Sequence, residues 1–169
     1  MRGTRDDTVV ADGRTPGVRP LRARGREMTG SGAAPRRDAD RVGVWIPADV
    51  RQLPLLRSIA ETVLLTADFG IDVVTDVRVA LDEVITAMIL STTPDRRIDC
   101  EFGYGPDRAD VTMSVVTLRD AFELNDFGRH LLSSLTDAIE IDHAGYDAGS
   151  DGYPLTVRFS RCGRRGGRR

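Results

Sequence analysis

The sequence predicts an α+β chain, a two-layer sandwich in which a mixed, mostly antiparallel sheet carries about three helices on one face. Two observations lead there. Apolar residues recur at helical spacing in two adjoining stretches, over residues 56–67 and 73–88. Around them lie short segments in which apolar residues alternate, as strands do when one face is buried.

Val42, Val44 and Ile46 alternate as the first strand. Leu56, Ile59, Ala60, Val63, Leu64 and Ala67 then mark a helix whose first turn suits Pro54. Phe69-Gly70-Ile71-Asp72 reads as a break, Gly70 ending one helix and Asp72 capping the next. Val73, Val77, Ala80, Leu81, Val84, Ile85 and Met88 form the stripe of a second helix, which stops near Thr93-Pro94. Ile98, Cys100, Phe102 and Tyr104 alternate, Gly105-Pro106-Asp107 turns the chain, and Val111, Met113 and Val115 complete a hairpin. A third helix covers about residues 127–137. Ile139 and Ile141 mark a further strand, and Leu155, Val157 and Phe159 the last. The expected order is β-α-α-β-β-α-β-β.

Composition narrows the function classes. At 169 residues and 40% hydrophobic, the chain has enough apolar material for one core. No apolar run approaches the roughly 18 residues of a membrane span, and the N-terminus lacks the apolar core of a signal peptide. Cys100 and Cys162 make neither a disulfide framework nor a metal-ligand spacing. A soluble cytoplasmic protein is expected. All 24 basic residues are Arg and Asn125 is the only Asn, the codon signature of a high-GC bacterial genome.

Charge divides the chain in three. Residues 1–41 carry ten Arg against six acids (+4) and show no apolar period, and are read as a disordered basic extension in which Met28 offers a second start. Residues 42–160 carry nine Arg against twenty acids (−11) and form the domain. Residues 161–169 carry five Arg and no acid (+5), a flexible Arg/Gly tail. An acidic body favours a basic protein partner over nucleic acid, whose phosphates it repels.

The second helix holds the sharpest feature, Asp76-Val77-Arg78-Val79-Ala80-Leu81-Asp82-Glu83-Val84-Ile85-Thr86-Ala87. Glu83 lies off the apolar stripe. Arg78 and Asp82, four apart, are placed to pair and leave Glu83 free. By spacing alone Glu83 is either a solvated helix acid or a functional carboxylate. The stretch from Asp76 to Leu90, preceded by Ala67-Asp68-Phe69-Gly70-Ile71-Asp72, resembles the N-box of anti-sigma-factor serine kinases of the GHKL superfamily, in its actinobacterial branch. Phe127-Gly128-Arg129-His130-Leu131-Leu132 looks like the start of that family's second glycine box. The resemblance covers about residues 42–160 and implies the Bergerat, or histidine kinase-like ATPase, fold.

It also implies roles. Glu83 matches the N-box glutamate that activates the substrate serine or a water. The Mg²⁺-binding asparagine one turn later is replaced by Ala87, whose methyl group cannot ligate a hard cation. The first glycine box is reduced to Thr117-Leu118-Arg119-Asp120-Ala121-Phe122, with Asp120 as the stand-in for the adenine-binding aspartate. Of the second box only Gly128 remains, its partner position being Asp126. Thr156 matches a threonine on the final strand. Asp120, Gly128 and Thr156 are thus the surviving candidates for nucleotide contact. Losing the Mg²⁺ ligand and adding a phosphate-facing charge should each cost about 1–3 kcal/mol of ATP binding. ATP and Mg²⁺ are expected to bind weakly or not at all.

The expected function is therefore an anti-sigma regulatory factor that sequesters a sigma factor and yields it to a STAS-type anti-anti-sigma factor. Arg57 matches an arginine at the family's partner surface, although a solvated helix arginine fits the same spacing. Arg57 and Glu83 are the candidate partner contacts, and a homodimer is implied by the resemblance alone. Two rivals stand beside this reading. An active serine kinase would use Glu83 and Mg-ATP to phosphorylate the antagonist. A nucleic-acid binder would work through the arginine-rich ends. His130 reads as a surface or packing residue, Cys100 as buried, and Trp45 as covering the sheet's open face or a dimer contact.

Overall fold

Alternation and helical spacing become the elements of the computed structural model, which describes residues 40–120 and 122–163. Strand β1 spans Asp40–Pro47. A single 3-10 turn, Val50–Gln52, leads into helix α1, Leu53–Thr66, and α2 follows over Ile71–Leu90. Strands β2 (Arg97–Tyr104) and β3 (Arg108–Thr117) form the hairpin. Helix α3 (Asp126–Leu135) is followed by β4 (Ala138–His143) and β5 (Tyr153–Cys162). The order is the one expected. The sheet runs β1-β2-β3-β5-β4 and every pairing is antiparallel.

One sheet face is covered by helices. The register sets Val44 opposite Cys100, Phe102 opposite Val111, and Met113 opposite Val157. Those side chains meet Leu56, Ala60 and Leu64 of α1 and eight buried residues of α2, from Val73 to Met88. Leu81, Val84 and Ile85 are fully buried, each contributing about 2 kcal/mol through removal from water. The opposite face is open. Trp45 lies there, beside Asp99 on β2, with the Arg97 guanidinium 5.7 Å from its ring centroid.

The helix junction differs from the expectation. Helix α1 stops at Thr66, and it is Asp68, not Gly70, that takes the left-handed conformation (φ 66°). Gly70 is extended and is itself the N-cap of α2, with Asp72 in the first turn. A Cβ at Gly70 would stand 2.5 Å from Asp72 Oδ1, so the acid's position depends on a glycine there. Asp49 caps the 3-10 turn, accepting from Arg51 N at 2.9 Å.

The ends of the domain also differ. Strand β1 begins at Asp40, and β5 continues through Arg161 and Cys162, which had been assigned to the tail. Arg161 is anchored, its guanidinium reaching Asp76 of α2 at 2.8 Å and Asp137 at 3.4 Å. Gly163 N donates to Asp107 O, while Asp40 pairs with Tyr104, so both ends of the described chain meet the β2–β3 turn. The basic extension and the Arg/Gly tail otherwise lie outside the described residues. None of the described helices is long and apolar enough to cross a membrane.

Candidate functional site

Helix α2 buries one side against the sheet and presents the other between α1 and α3. Asp82 and Glu83 stand about 100° apart on that outer side, so they serve different neighbours. Asp82 turns to α1. Arg57 Nε donates to both of its carboxylate oxygens, at 2.7 and 2.8 Å. The expected Arg78–Asp82 pair does not form. Arg78 instead reaches Glu61 of α1 at 2.9 Å. Each pair lies one helical turn from the other on both helices, in opposite directions along the chain, making two rungs of an antiparallel ladder. A straight i,i+4 pair along α2 loses to these cross-helix contacts because α1 brings an opposite charge to each residue.

Arg57 is thereby oriented without being used up. Its terminal nitrogens have no partner among the described residues. The Asp82 hydrogen bond, followed by the Coulombic attraction, holds the guanidinium above its ordinary pKa and fully charged.

Glu83 turns to α3. Gly128, in the first turn of that helix, is buried, and a Cβ there would collide with Glu83 Oε1 and crowd Cδ. The glycine therefore leaves the room that the Glu83 carboxylate occupies. The N–H of Gly128 is taken by the N-cap residue, donating to Asn125 Oδ1 at 2.7 Å. Glu83 is half-buried and has no hydrogen bond or ion pair among the described residues.

The other expected site residues do not converge here. Ala87 lies one turn beyond Glu83, half-buried, and supplies no oxygen ligand from its side chain. Asp126 is fully exposed at the start of α3, with only Arg129 nearby at 3.8 Å. Asp120 is exposed on the loop after β3 and faces the end of β4, its Oδ1 3.6 Å from His143 Nδ1. Thr156 lies on the final strand, β5. It pairs with Ser114, bonded through the hydroxyls at 3.1 Å, on the open face of the sheet, away from Glu83. The donor set fits Mg-ATP poorly: position 87 has no oxygen, the Gly128 amide is already bonded, and a carboxylate fills the space beside it. Among the described residues, no group of three or more His, Cys, Asp or Glu is arranged to hold a metal.

His130 is exposed on α3. Cys100 is buried, and burial pushes its thiol up to about 12. Sequence reasoning missed the Arg161–Asp76 tie and the Glu61–Arg78 rung. It also missed His143, whose Nε2 lies 3.2 Å from the buried Thr117 hydroxyl. Only the Thr156 placement had a readable signal. Its neighbours Leu155 and Val157 face the helices, so strand parity sends Thr156 the other way.

No family model matches the chain. The chain is 31% identical over 124 residues to the anti-sigma-F factor RsbW of Mycobacterium tuberculosis, in both the CDC 1551 and H37Rv strains. The match covers 70% of this chain and 74% of the relative. Among solved structures it resembles the RsbU and RsbW domains of a Mycobacterium tuberculosis protein, with a TM-score of 0.50 at 14% identity. That likeness covers 74% of this chain but only 34% of the longer two-domain chain, and it supports the fold.

Proposed function

The chain belongs to the family of the anti-sigma-F factor RsbW, and we propose that it acts by stoichiometric binding, sequestering an alternative sigma factor until a STAS-type anti-anti-sigma factor displaces it. The observation that carries this is the state of two charged side chains flanking α2, one on its α1 side and one on its α3 side. Arg57 is oriented by Asp82 with its terminal nitrogens free, and the neighbouring Glu83 offers an unpaired carboxylate. An oriented cation and an unpaired anion give a protein surface specificity, since a partner lacking the complementary charges would leave them desolvated and unpaired.

The nucleotide is outside this mechanism. Ala87 withholds a metal ligand, and Asp126 adds a charge where phosphate would approach, so ATP and Mg²⁺ bind weakly or not at all. Release is then competitive: an antagonist that covers Arg57 or Glu83 frees the sigma factor by mass action. The binding body is the folded domain from Asp40 to Gly163, working in the cytoplasm beside the polymerase. Homodimerisation belongs to the same proposal on the strength of the family resemblance, and sedimentation velocity reads it directly.

The test is a titration of the full chain with the sigma factor encoded by the same genome, with and without Mg-ATP. Sequestration predicts saturable one-to-one binding that nucleotide leaves unchanged and that a STAS antagonist reverses. The free Glu83 carboxylate gives the kinase reading its one support. Phosphate transfer to the antagonist that Glu83→Ala abolishes would replace sequestration by catalysis as the release step.

A further inference from the structure

Two of the acids along α2 are engaged. Asp76 is bound by Arg161, and Asp82 by Arg57. On the neighbouring α1, Glu61 is bound by Arg78. Two others on α2 are not: Asp72, exposed in the first turn, and Glu83, which is half-buried and without a partner among the described residues. Exposed apolar side chains flank Glu83 along α2 and at the start of α3. One turn before it on α2 stands Val79, 38% exposed, and two turns after it Leu90, 79% exposed. From α3, Phe127 is 71% exposed, next to the Gly128 that touches the Glu83 side chain. A carboxylate in such a place has lost part of its hydration and gained nothing in return.

We propose that Glu83 is the receptor for an arginine of the bound sigma factor, carried on an amphipathic helix that lies along α2 with its apolar residues on Val79, Leu90 and Phe127. Three features select this occupant. The exposed side of α2 offers apolar contacts at Val79 and Leu90, three turns apart, a spacing at which a second helix presents one face. The −11 charge of residues 42–160 draws a basic segment. A guanidinium suits the central position better than an ammonium, because its planar fork can take both carboxylate oxygens while its face rests on the exposed Phe127 ring. This role differs from activation of a hydroxyl, since it asks only that Glu83 stay ionised and accessible. The inference rests on the sequestration reading.

The experiment is a titration of the full chain and three variants with the sigma factor, each at low and high salt. Glu83→Gln keeps shape and removes charge, Phe127→Ala removes the exposed ring, and Glu123→Gln removes an exposed acid elsewhere. The expected result is a loss of ten-fold or more in affinity for Glu83→Gln, with a shallower salt dependence, a smaller loss for Phe127→Ala, and wild-type behaviour for Glu123→Gln. Arginine-to-glutamine changes in the sigma factor should then include one whose cost disappears in the Glu83→Gln background. Thermal melts of each variant report whether the fold is intact. Wild-type affinity in Glu83→Gln, or no coupled arginine, overturns the inference and leaves sequestration standing. A wild-type chain that does not bind the factor overturns both.

Discussion

The Glu83 side chain occupies the space that a side chain at Gly128 would need. This contact ties the N-box helix to the first turn of α3 and explains why position 128 is glycine in a helix, where glycine carries an entropic penalty. Gly128→Ala should therefore do two opposing things. It gains about 0.5–1 kcal/mol of helix propensity and evicts the Glu83 carboxylate, a flexible group, at similar cost. Net stability should change by less than about 1 kcal/mol. Sigma-factor affinity should fall as it does in Glu83→Gln, and the double variant should lose no more than either single one. Additive losses would separate the two residues.

The ladder between α1 and α2 should act as a unit. Each pair is partly exposed, with side-chain exposures of 38% and 30% for Arg57 and Asp82. Solvent screening holds each pair to about 0.5–1 kcal/mol. Arg57→Ala and Asp82→Ala should each lower stability by that amount in urea unfolding, and the pair should show a coupling energy of similar size. Asp82→Ala should also weaken partner binding, because it frees Arg57 to wander.

Thiol chemistry should separate the two cysteines. Cys100 is buried with its pKa raised to about 12, while Cys162 is exposed. At pH 8 a thiol reagent should titrate one group per folded chain and two in denaturant. The raised value also has a sign for stability. The folded state holds the Cys100 proton more tightly than the unfolded chain does. That contribution is complete below about pH 9 and is lost progressively as pH rises towards about 12. Replacing Cys100 with alanine should remove this alkaline loss while lowering stability at neutral pH through the cavity it leaves.

The anchored end of β5 gives a truncation test. A chain ending at Ser160 loses the Arg161 bridges to Asp76 and Asp137 and the Cys162 N–H bond to Asp137. It should melt about 4 °C or more below a chain ending at Gly163, on the order of 1 kcal/mol. Equal melting temperatures would show that the domain ends before Arg161.

The order of the elements was legible because each is written in a period, two for strands and 3.6 for helices, that tolerates local error. The interior of α2 and the parity of β2, β3 and β5 follow directly from it. What escaped was tertiary. The Arg78–Glu61 and Arg57–Asp82 pairs depend on α1 lying antiparallel to α2, which no local pattern states. The helix-ending role expected of Gly70 fell to Asp68, because Asp also tolerates the left-handed conformation, and Gly70 took the cap expected of Asp72. Of the site, Glu83 and Arg57 were visible through the family resemblance, and their partners through neither spacing nor charge. For Thr156, the alternation that identified β5 also gives its face, opposite to that of Leu155 and Val157.

Asp40 and Gly163 both meet the turn between β2 and β3, and this bears on how the polypeptide can be rewired. At that end of the sheet β1 and β5 are separated by β2 and β3, three strand spacings or about 14 Å. A linker of about six residues spans that gap. Closing it and opening the chain at Gly145, where an added Cβ meets nothing, would give a circular permutant with every strand pairing intact. Its new ends would emerge on the β4–β5 connection instead of beside the β2–β3 turn.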